Sequence, residues 1–341
     1  MARLLCLENP LLDIQAFGNH TLLKKYGLKP NDAILADQRH HNIYEDLIDN
    51  HAVVMTAGGG AQNTARAAAY MLASGSVLYL GCVGRDSYAD ILRSACHQAG
   101  VDAEYLVDDS QPTGRCAVIV TDDNRTCCTD LGAANCYKLK HLEQPRIWNL
   151  VTAARFYYVG AYHLTVCPEA VMALANEAAT NNKVFMMSLS APFIPHVFKA
   201  TLDMTEPYWD VLVGNESEAI AWAESHDFQS KDVGEIARHL AARPKVNKKR
   251  PRIVLITQGP SPTIIAESGI LEDRCIPVKS IERSEIVDTT GAGDAFAGGF
   301  LAGLVEGKPL ETCVDMGHWL ARLSIKELGP RFPNPKQKYS F

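Results

Sequence analysis

The chain has 341 residues, 47% of them hydrophobic and 21% charged, with a formal net charge of −6. That is enough apolar material for a sizeable core and excludes disorder on a large scale; at about 150 residues per domain it allows two domains or one elaborated α/β domain. The acidic balance speaks against a nucleic-acid partner, and no apolar run reaches membrane-spanning length or precedes a signal-peptide cleavage region.

In chain order, "RLLCLE" (residues 3–8) predicts a buried opening strand. A mixed segment, roughly residues 14–57, holds strand-like pieces at "AILAD" and "AVVMT". "NTARAAAYMLA" predicts an Ala-rich helix that stops at Gly75, and "SVLYLGCVG" a strand. "DSYADILRSACHQAG" predicts a helix capped by Asp86 and stopped by Gly100. "GRCAVIVTDDNRTCCTDLGAAN" predicts a hairpin with Asp123 and Asn124 near its turn. Strands and helices then alternate. "ARFYYVG", "VFMMSLS", "WDVLVGN" and "RIVLITQG" read as strands. "PEAVMALANEAATNN", with proline in its first turn, and "ESEAIAWAES" read as helices. Two long helices close the chain, from "GAGDAFAGGF" and from "LETCVDMGHW".

Near-continuous apolar strands alternating with helices predict an α/β fold whose central sheet is mostly parallel and flanked by helices. The hairpin-like pieces break the alternation and read as a small β-rich lid. Residues 1–13, 58–111 and 136–341 are assigned to the large domain, and residues 14–57 and 112–135 to the lid. Ten cysteines, including adjacent Cys127 and Cys128, are spread over the chain without C-x-x-C spacing. This predicts reduced thiols and a cytoplasmic setting, with no disulfide framework and no zinc site. The basic cluster "NKKRPR", Asn247 to Arg252, reads as a solvated loop, with a nuclear signal as the alternative.

Ligands of open α/β sheets sit beyond the carboxyl ends of the strands. That rule nominates Asn9, Asp13, Gly81 to Asp86, Ser190, Phe193, Gly214 to Glu218, Thr257 to Gly259, and Asp288 to Asp294. Within the last range, Gly291, Ala292 and Gly293 precede a helix whose first turn holds Asp294. Small residues let backbone N–H groups approach a ligand, and a helix N-terminus favours anions. The turn therefore fits a phosphate cradle beside a carboxylate that stays ionised at neutral pH. It fits equally a helix packed closely on the sheet with Asp294 as a capping acid. A dinucleotide fingerprint is incomplete here, and a Walker A loop lacks its lysine. "NESE", Asn215 to Glu218, has an ordinary reading too, as a capping box.

Two motifs together carry more. "GGGAQNTARAAA", Gly58 to Ala69, puts glycines before a small-residue helix read as capped by Asn63. It resembles the first signature of the ribokinase-like (PfkB-type) carbohydrate and nucleoside kinases. "DTTGAGDAFAGGF" is similar to their second signature, and the order is the same. "NPLLDI", "GAANCYK" and "LSAPFI" resemble the adenosine-kinase branch of that family rather than its sugar kinases, and the likeness runs nearly the full length.

The resemblance implies a ribokinase-like fold and ATP-dependent phosphorylation of the adenosine 5′-hydroxyl, giving AMP and ADP, with Mg²⁺. It implies Asp294 as the base and the N–H groups of Gly291, Ala292 and Gly293 as an anion hole. Asp13 would accept from the ribose 2′- and 3′-hydroxyls, Gly58, Gly59 and Asn63 would complete that contact, and Asn9 would lie near the nucleoside. Asn215 and Glu218 match an N-x-x-E motif that organises Mg²⁺ and phosphate through water. Thr257 and Gly259 fit the phosphate or ribose edge of the ATP site, and His318 its adenine, although a lone helix histidine also reads as an ordinary core or surface residue. Arg125, in the lid hairpin, would swing onto phosphate. His163 stands where the family has an aromatic stacking surface for the base, with Tyr162 and Phe193 able to compensate, and Ala33 replaces a lid glutamine. The expected partners are adenosine and ATP, with no nucleic acid, no membrane and a monomeric chain.

Overall fold

The computed structural model describes residues 3–30, 33–121 and 124–340. Its strands are, in chain order, β1 (Leu4–Leu7), β2 (Leu11–Phe17), β3 (Ala33–Leu35), β4 (Val53–Gly58), β5 (Val77–Gly84), β6 (Val101–Asp108) and β7 (Arg115–Thr121). There follow β8 (Asn124–Asp130), β9 (Phe156–Gly160), β10 (Val184–Ser188), β11 (Val211–Asn215), β12 (Ile253–Gln258), β13 (Ser261–Glu267) and β14 (Arg274–Ile276). Nine of them form one sheet in the order β14-β13-β12-β11-β10-β9-β1-β5-β6. It is parallel from β12 to β6, with β13 and β14 added antiparallel at one edge. All four residues of β1 and all eight of β5 are buried, as strands covered on both faces must be. β6, β13 and β14 lie outside the sequence reading: β6 follows its helix without a turn signal beyond Gly100, and the other two are a short antiparallel extension.

The other five strands form a second sheet in the order β3-β8-β7-β2-β4. β7 and β8 are the expected hairpin; its turn at Asp122 and Asp123 lies outside the described residues. The small sheet is wider than the sequence division made it. β2 pairs with β4 from Leu11↔Gly58 onward, so Asp13 and Gly58 lie on strands of this sheet. The signal was the alternation in "LLDIQAF": Leu12, Ile14 and Ala16 are buried in the core on one face, while Asp13 points to the other.

Five helices position the site: α1 (Gly60–Met71), α2 (Ser87–Ala99), α3 (Glu216–Ser225), α4 (Ala292–Val305) and α5 (Leu310–Ser324). α2 has the expected Asp86 cap, accepting from the Ala89 N–H at 2.9 Å, and the left-handed Gly100 stop. α1 differs from expectation. Gly59, at φ +89°, is its cap, and Asn63 sits within its first turn. A glycine there lets β4 turn directly into the helix, which frees the Asn63 side chain for another task.

α4 is buried along nearly its whole length between α1 and α5. A Cβ at Gly298 would stand 2.4 Å from the Ala67 Cβ and 2.8 Å from the Thr64 carbonyl oxygen of α1. One at Gly299 would stand 2.5 Å from the Met316 carbonyl oxygen of α5. Three helices thus meet backbone to backbone. Among the described residues no helix is long and apolar enough to cross a membrane, and none of the ten cysteines is in a disulfide.

Gly298→Ala is expected to destabilise the fold by about 1–3 kcal/mol through overpacking. Urea unfolding checks this: the midpoint should fall with the slope unchanged, and an unmoved midpoint would mean that α1 and α4 have room to spare.

Candidate active site

Asp294 stands in the first turn of α4, after Gly291, which caps the helix at φ +75°. Among the described residues the N–H groups of Gly291 and Gly293 have no acceptor, whereas that of Ala292 donates to the Thr289 carbonyl at 3.2 Å. The expected trio of anion donors is therefore two, because Ala292 is spent on closing the turn. One oxygen of Asp294 accepts from the Asn63 side-chain amide at 3.0 Å. Burial pushes the Asp294 pKa up to about 7, and the Asn63 bond works against that rise. The expectation of a fully ionised carboxylate is thereby corrected: loss of water outweighs the pull of the helix terminus.

Three more carboxyl groups share this environment. Glu8, at the carboxyl end of β1, is 2% exposed. Its carboxylate accepts from the Ala61 N–H at 2.8 Å. Burial first, opposed by that bond and reinforced by the Asp294 charge, takes its pKa up to about 8. Burial also raises Glu218 to about 7, opposed by the Asn215 bond, with Asp294 adding to the rise. Asp13 reaches about 7 by burial and then by the charge of Asp294, with Arg66 acting in the opposite sense. No side chain or N–H among the described residues donates to the Asp13 carboxylate. A Cβ at Gly58 would lie 2.3 Å from it, so only glycine fits beside it. Glu8 was not among the sequence candidates. Its signal was an acid ending a fully apolar strand, where a buried carboxylate needs a reason.

Glu8, Glu218 and Asp294 meet in a cavity of about 110 Å³, lined also by Tyr162, Ser190 and Thr257 among others, while Asp13 stands outside its lining. Ser190 is a non-glycine residue at φ +65°, with its hydroxyl accepting from the Ala161 N–H at 2.8 Å. Such strain is often kept at functional sites. Asn215 and Glu218 form the capping box that their spacing allowed. The Asn215 N–H and side-chain amide donate to the two Glu218 oxygens at 3.0 and 2.8 Å, and the Glu218 N–H donates back at 2.9 Å. The hydroxyl of Thr257 reaches the Gly214 carbonyl at 3.4 Å, and Gly259 is an exposed turn residue at φ +58°.

Other candidates lie elsewhere. His163 is fully buried behind Asn9 and does not line the cavity. Its Nδ1 is 3.0 Å from the Asn9 side-chain oxygen, and its ring meets that of Tyr137 edge-on at 4.9 Å. Burial pulls its pKa down to about 3, so the ring is neutral and Nδ1–H is the donor. It holds Asn9, whose own amide donates to the Tyr162 carbonyl at 3.3 Å. Tyr162 takes the cavity position, 6.0 Å from the half-buried Phe193 ring. His318 is 9% exposed and sits 2.8 Å from the Thr263 hydroxyl, against Phe296 and off the cavity. Arg125, on β8 of the small sheet, is 2.7 Å from the Asp288 carboxylate and 3.3 Å from the Thr289 hydroxyl. Asp288 is itself buried and accepts from the N–H groups of Thr290 and Gly329. The guanidinium thus bridges the small sheet to the loop that leads into α4.

Residues 20–337 match the model of the pfkB family carbohydrate kinases. The chain is 47% identical over 335 residues to an adenosine kinase of Schizosaccharomyces pombe, covering 98% of this chain and 97% of that protein. It is 40% identical over 331 residues to adenosine kinase 1 of Arabidopsis thaliana, covering 97% of this chain and 96% of that one. The crystal structure of Anopheles gambiae adenosine kinase in complex with P1,P4-di(adenosine-5) tetraphosphate superposes with a TM-score of 0.94 at 41% identity over 99% of both chains. The fold is ribokinase-like, and the chain belongs to the pfkB family of carbohydrate kinases.

Proposed function

We infer that the chain is an ATP-dependent adenosine kinase, which phosphorylates the adenosine 5′-hydroxyl and yields AMP and ADP. The observation that carries this reading is the placement of Asp294: tied to Asn63, beside the unspent N–H groups of Gly291 and Gly293, with the open-handed carboxylate of Asp13 near enough to feel its charge. The relatives described above, named as adenosine kinases, support the choice of acceptor.

Each residue then has a task. Asp13 offers lone pairs to two adjacent ribose hydroxyls and so fixes the sugar. Asn9, held by His163, faces the nucleoside. Asp294, with a pKa close to the working pH, takes the proton as the 5′-oxygen bonds to the γ-phosphorus and the bond to the bridging oxygen breaks. The N–H groups of Gly291 and Gly293 meet the charge that gathers on the transferring group. Glu218 suits Mg²⁺ only through water, since both its oxygens already accept from Asn215. The ion supplies neutralisation of the ATP phosphates. Thr257 and Gly259, at the end of β12, are proposed for the nucleotide side.

The small sheet is the proposed lid. A cavity of about 110 Å³ is well below the roughly 300 Å³ of small-molecule sites, so the lid lifts to admit a nucleoside. Closure excludes water, a competing acceptor, and the Arg125–Asp288 contact is its latch. In this reading the chain acts as a monomer in the cytoplasm. A nucleoside panel with Mg-ATP, read by chromatography, separates it from a related nucleoside or sugar kinase: adenosine should be the preferred acceptor.

Asp294→Asn is expected to lower kcat by about 10²–10⁴-fold while leaving the adenosine Kd within about threefold. Near-normal turnover would remove the base assignment. Asp13→Ala is expected to weaken adenosine binding by about 10- to 100-fold, read by titration calorimetry, as lost bonds to a charged group should; an unaltered Kd would take Asp13 out of the ribose site. The raised Asp294 pKa also has a stability consequence. The folded protein keeps a proton that the unfolded chain has released, so this carboxyl's contribution falls as pH rises from about 4 through 7. Asp294→Asn removes that penalty. Its gain in Tm over the parent should be larger at pH 8 than at pH 5, and equal gains at both would mean that the carboxyl is not desolvated.

A further inference from the structure

The largest cavity described, about 810 Å³, is not at the cleft. It lies between α1, α2, β4 and the C-terminal segment, and is lined by Arg66, Tyr70, Gln98, Arg331, Phe332 and Lys336 among others. Three cations face it, and Asp90 is its one acidic lining residue. None of the three makes an ion pair with a carboxylate among the described residues, in a chain whose net charge is −6. Arg66 is pinned by two carbonyls instead, those of Ala57 at 2.9 Å and Pro330 at 3.2 Å. Burial works against its charge, and the Arg331 guanidinium adds to that cost. Lys336 is held by the Ala69 carbonyl at 3.0 Å and lies over the Tyr70 ring.

Two of the three cations are thus fixed in place by carbonyls that leave most of their N–H donors unspent. Unpaired cations gathered at one concave surface repel one another unless an anion joins them. Arginine forks match the oxygens of a phosphate. The rest of the wall is not polar. The Tyr70 and Phe332 rings pack 5.0 Å apart, and Met55, Ile91 and Ala95 complete an apolar side. The volume lies within the range of small-molecule sites.

We propose that this cavity is a second ligand site, which takes the dianionic phosphate group of a small phosphorylated molecule on Arg66, Arg331 and Lys336, with its organic part against Tyr70 and Phe332. The site stands behind the cleft and shares its supports. α1 carries Asn63 to Asp294 and Arg66 to the cavity one turn later. β4 gives Met55 to Ala57 to the cavity and ends at Gly58 beside Asp13. Pro330, which holds Arg66, packs where a Cβ on Gly291 would be, 2.8 Å away. The inference does not depend on the reaction assigned to the cleft.

The test is calorimetric titration of ribose 5-phosphate, and separately of inorganic phosphate, into the full chain with the cleft saturated by adenosine and β,γ-methylene-ATP. One molecule should bind per chain. Arg331→Gln and Lys336→Gln should each weaken it about tenfold or more, with Tm and phosphate-free kcat unchanged. Tighter binding of the sugar phosphate identifies a phosphate ester as the occupant, and equal affinity identifies free phosphate. Absence of binding with the cleft filled, or equal affinity in parent and variants, overturns the proposal.

Discussion

The structure is organised around an electrostatic cost: three carboxyl groups, on Glu8, Glu218 and Asp294, line one small cavity, and that of Asp13 stands near enough to feel the Asp294 charge. Each is raised to a pKa of about 7 or 8, chiefly by burial, and for the other three the Asp294 charge adds to the rise. Four full negative charges there would repel strongly, so near neutral pH the cluster keeps some of its protons. That suits phosphoryl transfer from ATP, because a carboxyl balanced near neutrality can give up its proton and take another with little change in free energy. The same balance keeps the ligand-free cleft from being a stable anionic hole.

The cost is tolerable because the scaffold holds three of the four groups by hydrogen bonds. Glu8 is fixed by the Ala61 N–H of α1, Asp294 by Asn63 of the same helix, and Glu218 by the reciprocal bonds of the Asn215 cap. Asp13 is the exception, with no donor among the described residues, and it comes from the small sheet. In the proposed reaction, substrate hydroxyls complete the bonding of this carboxylate. The Arg125–Asp288 contact joins the small sheet to the loop before α4.

Much of this was legible in the sequence, and the failures have physical causes. Strand and helix alternation after residue 154 was plain because each strand is a short apolar run bounded by turn residues. β2 was missed although its alternation is present, because the boundary drawn at residue 13 splits "LLDIQAF" in two. Glu8 was lost because one strand-ending acid carries no spacing signal; only the fold shows that it meets Asp294. His163 was assigned to the wrong face by analogy of position. It packs behind Asn9, and its neighbour Tyr162 reaches the cavity. Asp294 lies in the first turn of its helix as expected, but its raised pKa comes from burial, which cannot be read from a helix start.

The two halves of the glycine-rich stretch are built differently. Gly291 and Gly293 leave N–H groups open at the helix end, while Gly298 and Gly299 let α4 touch α1 and α5 at backbone distance. The second half makes the first usable. The bond from Asn63 to Asp294 spans two helices, so its length is set by how closely α1 and α4 approach, and the Gly298 contact with Thr64 and Ala67 lies about one turn further along the same pair. A side chain at that contact would tilt the helix end away from Asn63 and move both Asp294 and the N–H groups of Gly291 and Gly293. The carboxylate and the small residues beside it are therefore one device, in which packing sets the position of the chemistry.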